Sequence, residues 1–196
     1  MTNEENKPLW PGREAGSAAL STERLLLTPP TAEDAPALTR IQNTDFVLRY
    51  NAMELWDEER MRGWIERNAA RQIVLRRRED SAPIGLVGLA EDSLRYGVDS
   101  VELNCYLAED YARQGYMKEA LTCILDRLFD ACAERVAARA FAPNVASRRL
   151  LESLGFRQEG LLRRAVRGYG GVVFDDALYS VDRAAWSAAR DGNEKK

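Results

Sequence analysis

Residues 101–132 read VELNCYLAEDYARQGYMKEALTCILDRLFDAC. The stretch changes period in its middle. Val101, Leu103, Cys105 and Leu107 alternate with Glu102, Asn104 and Tyr106, the period of two of a β-strand. From Met117 onward the apolar residues Ala120, Leu121, Ile124, Leu125, Leu128, Phe129 and Cys132 recur at helical spacing, with Lys118, Glu119, Thr122, Asp126, Arg127 and Asp130 on the other face. Between them lies a short loop, Arg113-Gln114-Gly115. A strand that leads through a glycine into a helix presents unpaired N–H groups at the positive end of the helix dipole. Such an end can hold phosphate, with Arg113 and Lys118 adding charge, although one glycine there is also compatible with a plain turn.

The run Tyr111-Ala-Arg-Gln-Gly-Tyr-Met-Lys-Glu-Ala-Leu121 resembles the pyrophosphate loop of the GNAT acyltransferases, and within them the RimJ/RimL type that acetylates ribosomal-protein N-termini. The family pattern is Gln/Arg-x-x-Gly-x-Gly/Ala. Ala112 stands in the first slot, Gly115 in the middle and Met117 in the last. A second run, Asn144-Val-Ala-Ser-Arg-Arg-Leu-Leu-Glu-Ser-Leu-Gly-Phe156 followed by Glu159-Gly160, resembles the family's second cofactor segment. Many relatives carry a tyrosine seven residues after that asparagine. Here the slot is Leu151, and Ser147 matches the serine of the RimJ/RimL branch. The opening Thr22-Glu-Arg-Leu-Leu-Leu with Asp34 is similar to the start of such domains.

The whole chain is 196 residues with 45% hydrophobic side chains, enough for one core. Lys plus Arg is 28 against Asp plus Glu 31, a balance that argues against a general nucleic-acid footprint. No apolar run reaches the length of a membrane span, and the N-terminus carries no signal-peptide pattern, so a cytoplasmic location is expected. Cys105, Cys123 and Cys132 are odd in number, form no C-x-x-C, and fall on apolar positions, as small buried hydrophobes do. There is no histidine. Ser-His and Cys-His pairs and His-based zinc sites are therefore excluded, and no metal is expected. No Gly-x-Gly-x-x-Gly is present, which excludes a dinucleotide fold.

Taken in order, residues 1–20 form a flexible N-terminal segment and residues 21–186 one domain, with a polar, frayed tail over 187–196. Strands are expected at 23–28, 72–77, 83–90, 101–107, 135–141, 157–162 and 173–182. Helices are expected at 32–43, capped by Thr31, at 58–70, at 117–132, and at 145–154. That last helix has Asn144 as N-cap and Gly155 with Phe156 closing its C-terminus. Residues 44–57 show no clean period, and 163–172 form an Arg/Gly-rich loop. Gly85 and Gly88 inside a strand point to a bulge or a close neighbour. The pattern is mixed α/β (α+β), and the resemblance implies a single GNAT-type domain with a mostly antiparallel mixed sheet flanked by helices.

The resemblance also implies the chemistry. Acetyl-CoA is the expected co-substrate. It would be held by Arg113, Gln114, Gly115, Met117 and Lys118, by Asn144 and Ser147, and by backbone N–H groups near Tyr106 and Leu107 that polarise the carbonyl oxygen. Ser147 is the candidate donor to the leaving sulfur. Glu102 is the candidate base, with water as the alternative. Tyr50 and Trp56 are candidate walls of the acceptor site, against ordinary core residues. Arg148 and Arg149 could reach CoA phosphates, and Arg163, Arg164 and Arg167 an acidic acceptor, against solvated surface. The acceptor is a protein N-terminal α-amine or a small amine, and the protein a monomer or homodimer. A non-catalytic acyl-CoA-binding sensor or scaffold of the same fold is the alternative.

Overall fold

The computed structural model describes residues 20–131 and 133–193. The expected lead-in, apart from Leu20, and Cys132 lie outside them. The described residues begin with β1 (Leu20–Ser21) and β2 (Leu25–Thr28). Pro29 and Pro30 end β2. Thr31 and Asp34 then form a capping box: the Thr31 N–H donates to Asp34 Oδ2 at 2.7 Å. It opens α1 (Ala35–Gln42) through a short 3-10 turn. A one-turn helix, α2 (Asp45–Leu48), follows, and α3 spans Glu58–Asn68 with Asp57 as its cap.

Next come β3 (Gln72–Arg77), β4 (Pro83–Glu91) and β5 (Ser100–Leu107), then α4 (Tyr116–Ala131), β6 (Arg135–Phe141) and α5 (Val145–Ser153). β7 (Arg157–Arg167) and β8 (Val173–Asp182) form a hairpin, and α6 (Arg183–Asn193) closes the described chain. The eight strands make one sheet in the order β1-β2-β3-β4-β5-β6-β8-β7. Neighbours run antiparallel except β5 and β6, which are parallel because α4 carries the chain across.

Two cores sandwich the sheet. On one face Val87, Leu89, Val101, Leu103, Val136 and Tyr179 pack under α4 and α5. On the other, Val74, Leu86 and Tyr106 pack under α1, α2 and α3. Both helices that carry the family motifs are amphipathic toward the first core. In α4 the residues Ala120, Leu121, Ile124 and Leu125 have no exposed surface. The C-terminus of α5 ends in a Schellman motif. Gly155 takes φ +83°, its N–H donates to the Glu152 carbonyl at 3.0 Å, and the Phe156 N–H donates to the Leu151 carbonyl at 3.1 Å.

Three expectations are corrected. β7 continues to Arg167 because β8 pairs with it past a bulge between Leu162 and Val166. Residues 187–193, read as part of a frayed tail, continue α6, whose Trp186 stacks on Phe129 with centroids 6.4 Å apart and donates to Asp126 at 3.0 Å; the rest of that tail lies outside the described residues. Residues 45–48, without a legible period, form a helical turn capped by Thr44. Gly85 and Gly88 are close-neighbour glycines: a Cβ on Gly85 would sit 2.6 Å from the Tyr106 carbonyl oxygen.

Candidate active site

The parallel pairing of β5 with β6 stops at Leu103 and Ala138, yet β5 runs on to Leu107 and β6 to Phe141. The two strands part there and leave a gap open at the carboxyl end of both. The Ala108 N–H donates to the Ile84 carbonyl at 2.8 Å, on the β4 side. Backbone groups alternate sides along a strand, so Tyr106 also turns its N–H to β4, while Cys105 and Leu107 turn theirs to the gap. The expected pair of carbonyl-polarising donors thus narrows to Leu107. The Tyr106 side chain is buried in the second core, its hydroxyl without a partner among the described residues, and burial pushes its pKa up.

At the same end of the sheet lies the loop before α4. Arg113 adopts φ +59° and Gly115 φ +85°. A positive φ on a long side chain is uncommon and marks a backbone held for a purpose. The first intrahelical bond runs from the Glu119 N–H to the Gly115 carbonyl at 3.0 Å. The N–H groups at Gly115, Tyr116, Met117 and Lys118 are therefore left over at the positive helix end. Met117 is buried, so its side chain occupies the core and only its backbone faces the loop. The departure from the family's small residue there leaves the loop's outer surface untouched. Gly115 and Lys118 line a groove of about 500 Å³ bounded by Thr22, Thr122 and Arg190. Gln114 bonds the Asp110 carbonyl with its side chain, at 2.6 Å.

Sequence reasoning did not find what fixes this loop. Glu119 accepts three hydrogen bonds from the β1–β2 corner: from the Thr22 hydroxyl at 2.5 Å, the Arg24 N–H at 2.8 Å and Arg24 Nε at 2.6 Å. Arg24 also donates from Nη1 to the Gln114 carbonyl at 3.0 Å and lies 4.2 Å over the Tyr116 ring. Burial alone would raise the Glu119 pKa, but the bonds from Thr22 and Arg24 outweigh it and hold the carboxyl below its ordinary value. Thr22 and Arg24 stand inside the opening run quoted above and Glu119 inside the loop run; only their pairing was invisible.

α5 begins where β6 ends. Asn144 caps it, its side-chain oxygen accepting from the Ser147 N–H at 3.1 Å. Ser147 is half-buried in the first turn, its hydroxyl free of partners among the described residues. Leu151, in the family's tyrosine slot, is core. Arg148 is corrected as a phosphate candidate: its guanidinium bonds the Tyr179 hydroxyl at 2.9 Å and the Ala142 carbonyl at 3.2 Å. Arg149 is exposed.

Glu102 stands on the sheet face opposite α4, two residues before Asn104 and four before Tyr106. Burial pushes its carboxyl above the ordinary 4.5; Arg139 on β6 opposes that, and Asp92 and Asp176 add to it. Arg139 is itself committed to the buried Asp176, at 2.7 Å from Nε and 2.5 Å from Nη2. Glu102 is thus a half-buried carboxylate without an ion pair among the described residues. At the open end of this face, Phe174 packs against Phe141 at 5.1 Å and Tyr50 at 6.4 Å. The Tyr169 N–H donates to the Asn51 carbonyl at 3.1 Å. Tyr50 therefore roofs the face together with the β7–β8 hairpin. Trp56 packs against the second core, on the same side of the sheet as Tyr106. It packs edge-on against Trp64 at 5.8 Å, under Arg60. Arg163 and the Arg164 backbone bond Asp175, and Arg167 bonds the Gly171 carbonyl, so these arginines shape their own hairpin bulge.

Residues 24–157, well over half of the chain, match the Acetyltransferase (GNAT) domain. The chain belongs to the GNAT acetyltransferase family. Similar curated proteins are two N-acetyltransferases of Bacillus subtilis. YoaA is 28% identical over 83% of this chain and 95% of its own. YnaD is 24% identical over 86% and 99%. Among solved structures of similar fold is RimJ of Mycobacterium smegmatis in complex with CoA-disulfide, with a TM-score of 0.71 at 22% identity, covering 86% of this chain and 89% of that one. Another is the ribosomal-protein-S5-alanine acetyltransferase of Vibrio fischeri, with a TM-score of 0.74 at 19% identity, covering 86% and 98%. The GNAT protein described here is thus an acetyltransferase, and the GNAT fold uses acetyl-CoA. Burial pushes the Cys105 thiol up to about 12, and burial together with Asp126 raises Cys123, so both favour the neutral thiol. Among the described residues no cluster of His, Cys, Asp or Glu is fit for a metal, and no helix is long and apolar enough to cross a membrane.

Proposed function

We propose that the protein transfers the acetyl group of acetyl-CoA to a primary amine by direct attack. The observation that carries this is the parting of β5 from β6 beyond Leu103, with Glu102 on the sheet beside the gap and Ser147 on the helix that starts beyond it. The N–H groups of the Arg113–Lys118 loop and the α4 dipole suit the pyrophosphate, and Lys118 and Arg113 add charge. The gap suits the pantetheine arm, and the Leu107 N–H lies where a carbonyl oxygen gathers charge. Asn144 fixes the start of α5 and so the direction of Ser147.

Glu102 takes a proton from the acceptor ammonium, directly or through water. The freed amine nitrogen bonds to the acetyl carbon. The carbon–sulfur bond breaks, the Ser147 hydroxyl donates a hydrogen bond to the departing sulfur, and the proton that the nitrogen sheds on becoming an amide passes through water to the thiolate, giving the amide and the CoA thiol. A thiol pKa near 8.5 means that the thiolate needs only modest help. Tyr50, with Phe174 and Phe141, forms the acceptor-side wall. The acceptor is a protein N-terminal α-amine or a small amine.

Isothermal titration with acetyl-CoA, with NADH as control, tests the donor site. Micromolar binding of acetyl-CoA alone is expected, followed by thiol release on an amine or N-terminal peptide. Absence of acetyl-CoA binding overturns the proposal.

A further inference from the structure

β5 is the fifth of eight strands, and a central strand is normally covered on both faces. The alternation of burial changes phase at Asn104, its only exposed residue: Val101 and Leu103 are the buried positions before it and Tyr106 is the buried position after it. Asn104 therefore lies under an opening in the helical cover, past the last β5–β6 pair and between Glu102 and Tyr106 on the same face. Its carboxamide makes no hydrogen bond among the described residues. Beneath it is Gly88, its cross-strand partner on β4, and beyond that Gln72 on β3. A Cβ on Gly88 would sit 2.8 Å from Asn104 Oδ1, 2.9 Å from its Nδ2 and 2.7 Å from Gln72 Oε1. The absent side chain thus leaves a space that both carboxamides border.

The geometry points to a polar floor for the acceptor, made by Asn104 with Gln72 over Gly88, that selects amines bearing a hydrogen-bonding group on the neighbouring carbon. This deepens the acetyl-transfer assignment and rests on it. Glu102 and Asn104 stand about 6–7 Å apart along the strand. An amine at Glu102 therefore brings a carbonyl or amide carbon two bonds away, or a hydroxyl three bonds away, within reach of Asn104. A carboxamide offers both a donor and an acceptor, so it serves all three groups. A plain alkylamine leaves that pairing unmade, and a site built around a polar contact discriminates against such an analogue. Arg139 and Asp176 satisfy each other and do not compete for the acceptor.

The test uses glycinamide and ethylamine as matched acceptors. In the wild type, kcat/KM for glycinamide is expected to exceed that for ethylamine by about tenfold or more after correction for amine ionisation. Asn104→Ala should collapse the ratio toward one through the glycinamide KM, with the acetyl-CoA KM unchanged. Gly88→Ala, which displaces both carboxamides, should do the same. In parallel, glycinamide should shift the Asn104 side-chain NH₂ resonance of the CoA-loaded protein, and ethylamine should not. A ratio unaltered in Asn104→Ala, or no glycinamide-dependent shift, overturns the floor. If neither amine is acetylated, the NMR arm alone decides the floor; the transferase assignment is judged separately, from acetyl-CoA titration and thiol release.

Discussion

Replacing Glu119 by Gln tests the clasp that holds the phosphate loop. The carboxylate receives three hydrogen bonds, from Thr22 Oγ1, the Arg24 N–H and Arg24 Nε. A hydrogen bond to a charged group contributes about 1.5–3 kcal/mol, a neutral one about 0.5–1.5. Gln keeps the size and one acceptor oxygen but loses the charge, and its NH₂ faces a donor. At least one bond goes and the remainder weaken. The Arg24 side chain is 39% exposed and that of Glu119 18%, so water takes up part of the loss. A net cost of about 2 kcal/mol follows, which in a domain of this size lowers Tm by roughly 4–8 °C. The loop should loosen too, because Arg24 loses the partner that aims Nη1 at the Gln114 carbonyl. Acetyl-CoA affinity is expected to fall about tenfold, that is by about 1.4 kcal/mol. The pH dependence has a definite sign. Glu119 has a depressed folded-state pKa, so its contribution is present in full above the ordinary 4.5 and is lost as pH falls through the lower folded value. Thermal unfolding of wild type and Glu119→Gln at pH 7 and again below pH 4.5 reads this out. A Tm difference under about 1 °C at neutral pH, or one that does not shrink on acidification, refutes the clasp.

Ser147→Ala should lower kcat at least about tenfold while acetyl-CoA affinity, measured by titration, stays within about twofold, because the Asn144 cap receives the backbone N–H and not the hydroxyl. Unchanged turnover removes Ser147 from the chemistry. Glu102→Gln should cost about 10²-fold or more in kcat/KM at pH 7. Burial raises the Glu102 pKa, so the wild-type rate should fall as pH drops through a value above 4.5, and that limb should vanish in the variant. A pH–rate profile of the same shape in both proteins assigns the proton to water.

How much was legible follows from where the information sits. β3, β6 and β8 match their sequence bounds because alternation or continuous burial is written into each run. The Asn144 cap and the Gly155 stop of α5 are local chemistry too. α6 was not legible, because what holds it is Trp186 against Phe129 and Asp126, some sixty residues away in sequence. The last residues of β7 were not legible, because Arg163 to Arg167 have no strand pattern of their own and follow β8. In the candidate site the motif residues stood out as types in order, but the roles of Tyr106 and Arg148 depended on the direction of an N–H and on the partner of a guanidinium.

By itself the sequence determined most of the strands and the helices α1, α3, α4 and α5, which face of each is apolar, and that no histidine takes part. Only the tertiary structure decided that β5 and β6 run parallel and part after Leu103, that Glu119 belongs to Thr22 and Arg24, and that Asn104 lies open above Gly88. The physical reason is range. Periodicity and capping are interactions of a residue with its near neighbours in the chain. A gap between strands, a clasped carboxylate and an uncovered side chain are set by partners distant in sequence, which the sheet brings side by side.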